Sequence, residues 1–259
     1  MKPRSAARFG ISATRVIVLI PTRGSIASEL ARALINNTEE YELELFTVDR
    51  QPVDVARNQL AAMAIDAADD IARFSRDDDP YVFWIDSDAF FIKGTLSLMM
   101  AALDRNPAIS LLAGLFGPRA ANAGATAFRD RHDRKSFLMP DVNVQRGDIV
   151  EVDVVGMHMV VHRVSLLRSV GAHPFGVEDD QISEDAAFCG RVQISGGTIA
   201  VATGVPVFHV DEKTGIAYTP GMPPCAIAGD QIDLTFSPAE SEVESRTYGM
   251  RIDAIVNQR

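Results

Sequence analysis

The sequence predicts an α/β fold: one domain with a mostly parallel sheet flanked by helices, and a smaller mixed or antiparallel part in its second half. Three observations point there. Short runs of uniformly apolar, β-branched residues recur, as strands buried on both faces require. Helical patterns separate those runs through the first half, the alternation from which parallel sheets are built. Turn chemistry punctuates the runs, as in Pro21-Thr22-Arg23-Gly24-Ser25.

Residues 1–13 read as a loose, basic N-terminal segment. Arg15-Val16-Ile17-Val18-Leu19-Ile20 is the first core strand, its apolar run too short for a signal core or a membrane span. Residues 26–36 follow as a helix, with Ile26, Leu30, Leu34 and Ile35 at helical spacing. Glu42 to Val48 alternates as a strand, and Val53 to Phe74 is a long Ala-rich helix. Tyr81-Val82-Phe83-Trp84-Ile85 is a buried strand, Thr95 to about Leu103 a helix, and Ser110 to Leu115 a further strand. Residues 117–147 lack periodicity and form a long loop of the kind that usually carries function or disorder. Val150 to Val161 is strand-like but interrupted by Gly156, which marks a bulge or a close approach. Ser183 to Val192 is a short helix, and Thr198–Val201 and Val205–Val210 are short strands. Ser237-Pro238-Ala239-Glu240 has the form of a helix start, with Ser as N-cap, Pro at the first position and Glu completing a capping box. It predicts a C-terminal helix to about Val256, within a segment 237–259 that could support a homo-oligomer.

Composition limits the function. Hydrophobic residues are 47% and charged residues 23%, an ordinary globular mix whose core needs no disulfide. Cys189 and Cys225 form no metal or redox motif, and the chain reads as a reduced, cytoplasmic protein without a membrane span. A net charge of −10 disfavours bulk binding to a nucleic-acid backbone.

Chemistry concentrates at Asp86-Ser87-Asp88, which ends the strand 81–85. In an extended chain these two carboxylates share a face, repel each other and lose solvation. A divalent cation relieves both penalties, and hard cations favour oxygen ligands. In parallel sheets ligands sit beyond the carboxyl ends of the strands, where this pair and the turn after Ile20 would both lie. Each residue also has a plainer reading. The two Asp could cap a turn, Glu184 and Asp185 could simply open a helix, and Arg57 could be a surface ion-pair partner. His209 could be structural, His158 and His162 could be core or acceptor-face groups, and Cys189 packing.

Four pieces in this order resemble the GT-A-type, Rossmann-like nucleotide-sugar glycosyltransferases, close to the family 2 group. They are Val16-Ile17-Val18-Leu19-Ile20-Pro21-Thr22-Arg23-Gly24, Ala56-Arg57-Asn58, Trp84-Ile85-Asp86-Ser87-Asp88, and Ser183-Glu184-Asp185-Ala186-Ala187-Phe188-Cys189-Gly190-Arg191 with Gly196-Gly197 after it. The match runs from about Val16 to His209. The resemblance implies a domain over 14–236, with 14–116 binding nucleotide and 117–236 the acceptor. It implies that Pro21, Thr22, Arg23 and Gly24 line the nucleotide pocket, with Arg57 reaching the nucleotide or its diphosphate and Asn58 supporting that loop. Asp86 and Asp88, with His209 as a further ligand, would hold Mn²⁺ or Mg²⁺ against the diphosphate of a UDP- or GDP-sugar. Asp185, beside Glu184, would be the base on an acceptor hydroxyl. That base implies inversion, with a retaining enzyme or a non-catalytic nucleotide-sugar-binding relative as alternatives.

There are departures. No Asp-Asp-Gly-Ser segment follows the second strand, so Asp49 would recognise the base alone. The Gln-x-x-Arg-Trp motif of processive members is absent, which argues against a polysaccharide synthase. A nucleotidyltransferase needs a Gly-rich basic turn that Pro21–Gly24 does not match. An Asp-x-Asp phosphohydrolase needs Thr or Val where Phe90 stands. Arg129, Arg131, His132, Arg134 and Lys135 make the 117–147 loop basic enough to close over a donor as a lid, or to be an ordinary solvated loop.

Overall fold

Five consecutive apolar residues, Val16 to Ile20, are entirely shielded from solvent because helices cover both faces of their strand. Alternation sends Val16, Val18 and Ile20 to one core and Ile17 and Leu19 to the other. The computed structural model describes residues 14–38, 41–74, 79–119, 125–128, 147–177, 183–211, 213–220, 225–226, 236–238 and 250–252. The first half runs β1 (Arg15–Thr22), α1 (Ser28–Asn37), β2 (Glu42–Asp49), α2 (Val53–Phe74), β3 (Tyr81–Ile85), β4 (Ala89–Phe90), α3 (Thr95–Arg105) and β5 (Ile109–Leu115). The second half runs β6 (Ala127–Phe128), β7 (Ile149–Val152), β8 (Val154–Val155), β9 (Met159–Arg163), α4 (Val164–Val170), α5 (Glu184–Ile194), β10 (Thr198–Pro206), β11 (Phe208–Asp211), β12 (Ile216–Tyr218), β13 (Cys225–Ala226), β14 (Phe236–Pro238) and β15 (Met250–Ile252).

The main sheet has seven strands in the order β2-β1-β3-β9-β5-β10-β7. β2, β1, β3, β5 and β10 point one way, and β9 and β7 oppose them. The α/β class with a mostly parallel sheet is therefore as the sequence predicts. α1 and α3 pack on the face of Val16 and Val18, and α2, α4 and α5 on the face of Ile17, Leu19 and Trp84. A four-stranded antiparallel sheet, β13-β12-β11-β4, supplies the smaller part. Among the described residues no helix is long and apolar enough to cross a membrane.

Three expectations change. Val150–Val161 is not one strand but β7, β8 and the start of β9, with breaks at Asp153 and at Gly156–His158. A Cβ at Gly156 would lie 2.7 Å from the ring of His158, so the glycine marks a close approach within the protein. α4 was hidden because it follows β9 without a turn; Asp79 caps it from outside, accepting from Ser165 N at 2.7 Å and Ser165 Oγ at 2.9 Å. The predicted C-terminal helix does not form at its first residues. Phe236–Pro238 pairs antiparallel with Met250–Ile252 instead. A capping signal acts locally, whereas Met250-Arg251-Ile252-Asp253 alternates with the strand period. The segment 1–13 and the basic residues Arg129 to Lys135 lie outside the described residues.

Candidate functional site

At the carboxyl edge of the sheet, β2, β1 and β3 end side by side, with Thr22 in register with Asp49. The Pro21–Gly24 turn is closed by Thr22, whose Oγ1 donates to Ser25 O at 2.8 Å and accepts from Gly24 N at 3.1 Å. Gly24 has φ +117°, and a Cβ on it would meet the Arg50 guanidinium at 3.3 Å. Arg50 in turn pairs with Asp49 at 3.3 Å. Arg23 is exposed. Ala27 N donates to Ser87 O at 2.8 Å, which ties this first turn to the Asp86–Asp88 turn.

Asp86 and Asp88 do not continue β3 as an extended chain. Ala89 N donates to Asp86 O at 3.0 Å and closes a turn, after which β4 joins the second sheet against β11. The two carboxylates consequently face different partners. Asp86 Oδ1 accepts from Arg57 Nη2 at 2.9 Å, and its Oδ2 lies 2.6 Å from His158 Nδ1. Asp88 Oδ2 bonds Arg119 and lies 3.4 Å from His209 Nε2.

Arg57, in the first turns of α2, is the hub. Its side chain is only 2% exposed. Nη1 reaches Glu184 Oε1 at 2.8 Å and also bonds Asp185 Oδ1. Those acids open α5, where Ser183 is the N-cap and accepts from Ala186 N at 3.3 Å. Arg57 Nε has no partner among the described residues. The guanidinium sits 5.9 Å over the Phe175 ring, and Asn58 fixes that floor by accepting from Phe175 N at 2.9 Å. Burial works against the charge of Arg57, but Asp185, Asp86 and Glu184 outweigh it and hold the guanidinium firmly protonated. Burial likewise opposes the charge of Asp86, yet Arg57 and His158 keep its carboxyl far below the usual carboxylate range. Asp88 is held low against its burial, chiefly by His209. Glu184 moves the other way: burial, and then the neighbouring Asp185 charge, push its carboxyl up.

The two histidines are linked by a ring. Phe116 stacks on His158 with centroids 3.7 Å apart and lies 4.7 Å from His209. His209 Nδ1 is 3.2 Å from Gly117 O. With Nδ1 turned to Gly117 O, His209 presents Nε2 to Asp88 Oδ2, a contact that favours the Asp88 carboxylate. Their 3.4 Å separation suits two ligands of one cation, each bound at about 2.0–2.2 Å. Among the described residues no three His, Cys, Asp or Glu side chains form a metal-holding group. A cation here would therefore take two protein donors, Asp88 and His209, and complete its shell from a ligand or water. Asp86 has both oxygens engaged and is the poorer donor.

Among the described residues the four carboxylates Asp86, Asp88, Glu184 and Asp185 pair with two guanidiniums, Arg57 and Arg119, an excess of two acidic side chains. Sequence reasoning missed Arg119, His158 as the partner of Asp86, and Phe116. The signals were present: Phe116-Gly117-Pro118-Arg119 ends another parallel strand, and Gly156 announces the packing of His158. Cys189 is buried against Val155 and serves packing, as expected.

No protein-family model and no curated protein matches the sequence. Among solved structures the chain is similar to A197 from STIV, at a TM-score of 0.59 and 17% identity, covering 82% of this chain and 94% of that one. The fold is GT-A-like. At that identity the likeness extends to the fold alone. A glycosyltransferase involved in glycosylation of the major capsid of PBCV-1 is a more distant neighbour, at a TM-score of 0.36 and 10% identity over 72% of this chain and 81% of that one.

Proposed function

We propose that this chain is a metal-dependent glycosyltransferase, moving a sugar from a nucleoside-diphosphate sugar to an acceptor hydroxyl. The observation that carries the reading is the carboxylate-rich edge itself. Four acids converge on two guanidiniums at this edge, and Asp88 Oδ2 and His209 Nε2 stand 3.4 Å apart within it. Two excess acidic side chains would repel a diphosphate, so an anionic donor needs a divalent cation to enter. Bound Mn²⁺ or Mg²⁺ would neutralise charge growing on the departing phosphate oxygen.

The remaining work falls to the chain. The Pro21–Gly24 turn and Asp49 stand beside the Asp86–Asp88 turn and would cradle the nucleoside. Arg57 fixes Asp86 on the donor side and Asp185 on the acceptor side with one buried group, so it sets their spacing. The acceptor oxygen forms a bond to the anomeric carbon as the bond from that carbon to the diphosphate oxygen breaks. The hydroxyl proton passes to Asp185, and such a base typically contributes about 10²–10⁴-fold in rate. Attack opposite the leaving group inverts the sugar carbon. Glu184, whose burial favours its protonated form, is the weaker candidate for this base at acid pH.

A thermal-shift screen of nucleotide-sugars with and without Mn²⁺ tests the reading, because a ligand of the native state raises the melting temperature. The expected result is a shift that needs both Mn²⁺ and one nucleoside diphosphate. Asp185→Asn should keep that shift and lose transfer; equal turnover in the variant would remove Asp185 as base.

A further inference from the structure

We propose that Arg119 is the diphosphate-positioning residue of this site and that, before a donor arrives, it occupies the cation's place on Asp88. The inference rests on the glycosyltransferase reading above and deepens it. Arg119 bonds Asp88 through Oδ2, the same oxygen that faces His209 Nε2 at 3.4 Å. A guanidinium and a divalent cation compete for one carboxylate oxygen, since each brings positive charge to the same lone pairs. The contact is made to be broken. Arg119 is 41% exposed and Asp88 31%, in contrast to Arg57, which is locked beneath three acids at 2%. Exposed ion pairs of this kind are weak, about 0.2–1 kcal/mol, so a cation held by Asp88 and His209 can displace the arginine.

The displaced group stays at the site. Arg119 follows β5 after only Phe116, Gly117 and Pro118, and Gly117 O is the acceptor for His209 Nδ1. The backbone that carries Arg119 is thereby tied to the proposed cation ligand. A planar guanidinium released beside a cation-bound diphosphate matches its oxygens in a two-pronged fashion that lysine does not reproduce. Cation and diphosphate binding become coupled, because the cation frees the residue that the diphosphate needs. Any such coupling is reciprocal.

The test is calorimetry of Mn²⁺ alone, and of UDP and GDP with and without Mn²⁺, on wild type, Arg119→Gln and Arg119→Lys; the side chain is exposed, so the variants retain the fold. Arg119→Gln is expected to bind Mn²⁺ alone about twofold to fivefold more tightly, having lost its competitor. It is expected to bind the diphosphate in the presence of Mn²⁺ about tenfold or more weakly, having lost a charged hydrogen-bond donor. Arg119→Lys should retain the competition and lose most of the diphosphate affinity. Unchanged or weaker Mn²⁺ binding in Arg119→Gln overturns the proposal, as does undiminished diphosphate affinity. Wild type that binds neither Mn²⁺ nor either diphosphate overturns the transfer reading itself, a result distinguishable from both.

Discussion

The two ends of the central strands treat charge in opposite ways. At the amino end, Arg163 closes β9 with balanced contacts: Nη2 bonds Asp104 Oδ1 at 2.8 Å, Nη1 bonds Asp79 O at 3.0 Å, and the guanidinium lies 3.6 Å over the Tyr81 ring. The Asp79 carboxylate there is spent on capping α4. At the carboxyl end, Arg57 is buried among three acids, and Asp88 faces Arg119 and His209. A balanced end is what stability alone selects. An end that keeps excess like charge gives up stability, and proteins generally do so where a ligand completes the set.

The difference can be broken most forcefully at its hub. Arg57→Met leaves Asp86, Glu184 and Asp185 buried without their cation, and urea unfolding at pH 7 should show a loss of about 3–5 kcal/mol. Lowering the pH should recover part of that loss, because protonation then removes the repulsion.

A second prediction concerns the neutral interior between the two ends. His162 Nε2 accepts from Trp84 Nε1 at 2.9 Å while its Nδ1 lies 2.7 Å from Arg163 O, an arrangement that a neutral ring satisfies fully. Burial pushes His162 from 6.5 down to about 4. The unfolded chain therefore binds the extra proton first, so stability is intact above pH 6.5 and falls as the pH drops toward 4. The loss should be on the order of 3 kcal/mol across that window, and His162→Gln should flatten the profile.

Smaller effects sharpen the contrast. Arg163→Met at the balanced end should cost about 1 kcal/mol, the sum expected of a half-exposed ion pair and a cation–π contact, and leave ligand binding untouched. Asp88→Asn at the unbalanced end should change the unfolding free energy by no more than about 0.5 kcal/mol, yet abolish the Mn²⁺-dependent rise in melting temperature.

Most of the architecture was legible because it is local. The apolar runs of β1, β3 and β5 and the periodicity of α2 announce themselves within windows of a few residues. α4 and the β14–β15 pair were not, since one takes its cap from Asp79 and the other depends on partners twelve or more residues apart. The site was legible in parts. Asp86, Asp88, Glu184, Asp185, Arg57 and His209 each carry chemistry that a sequence displays, and the fold brings them to one edge. Their pairing is another matter. Arg57 meets Glu184 and Asp185 across 127 and 128 residues, and no periodicity encodes which acid faces which base. The extended-chain argument for Asp86 and Asp88 failed because a turn closes at Asp86, which sends one carboxylate to Arg57 and the other to Arg119.

The claim at the centre is that uncompensated negative charge at this edge makes nucleotide binding depend on a divalent cation. Calorimetric titration of wild-type protein with UDP and with GDP, in Mn²⁺ and then in excess chelator, tests it most directly. The account predicts binding of one diphosphate in Mn²⁺ and none measurable in chelator; equal affinity in both would contradict it.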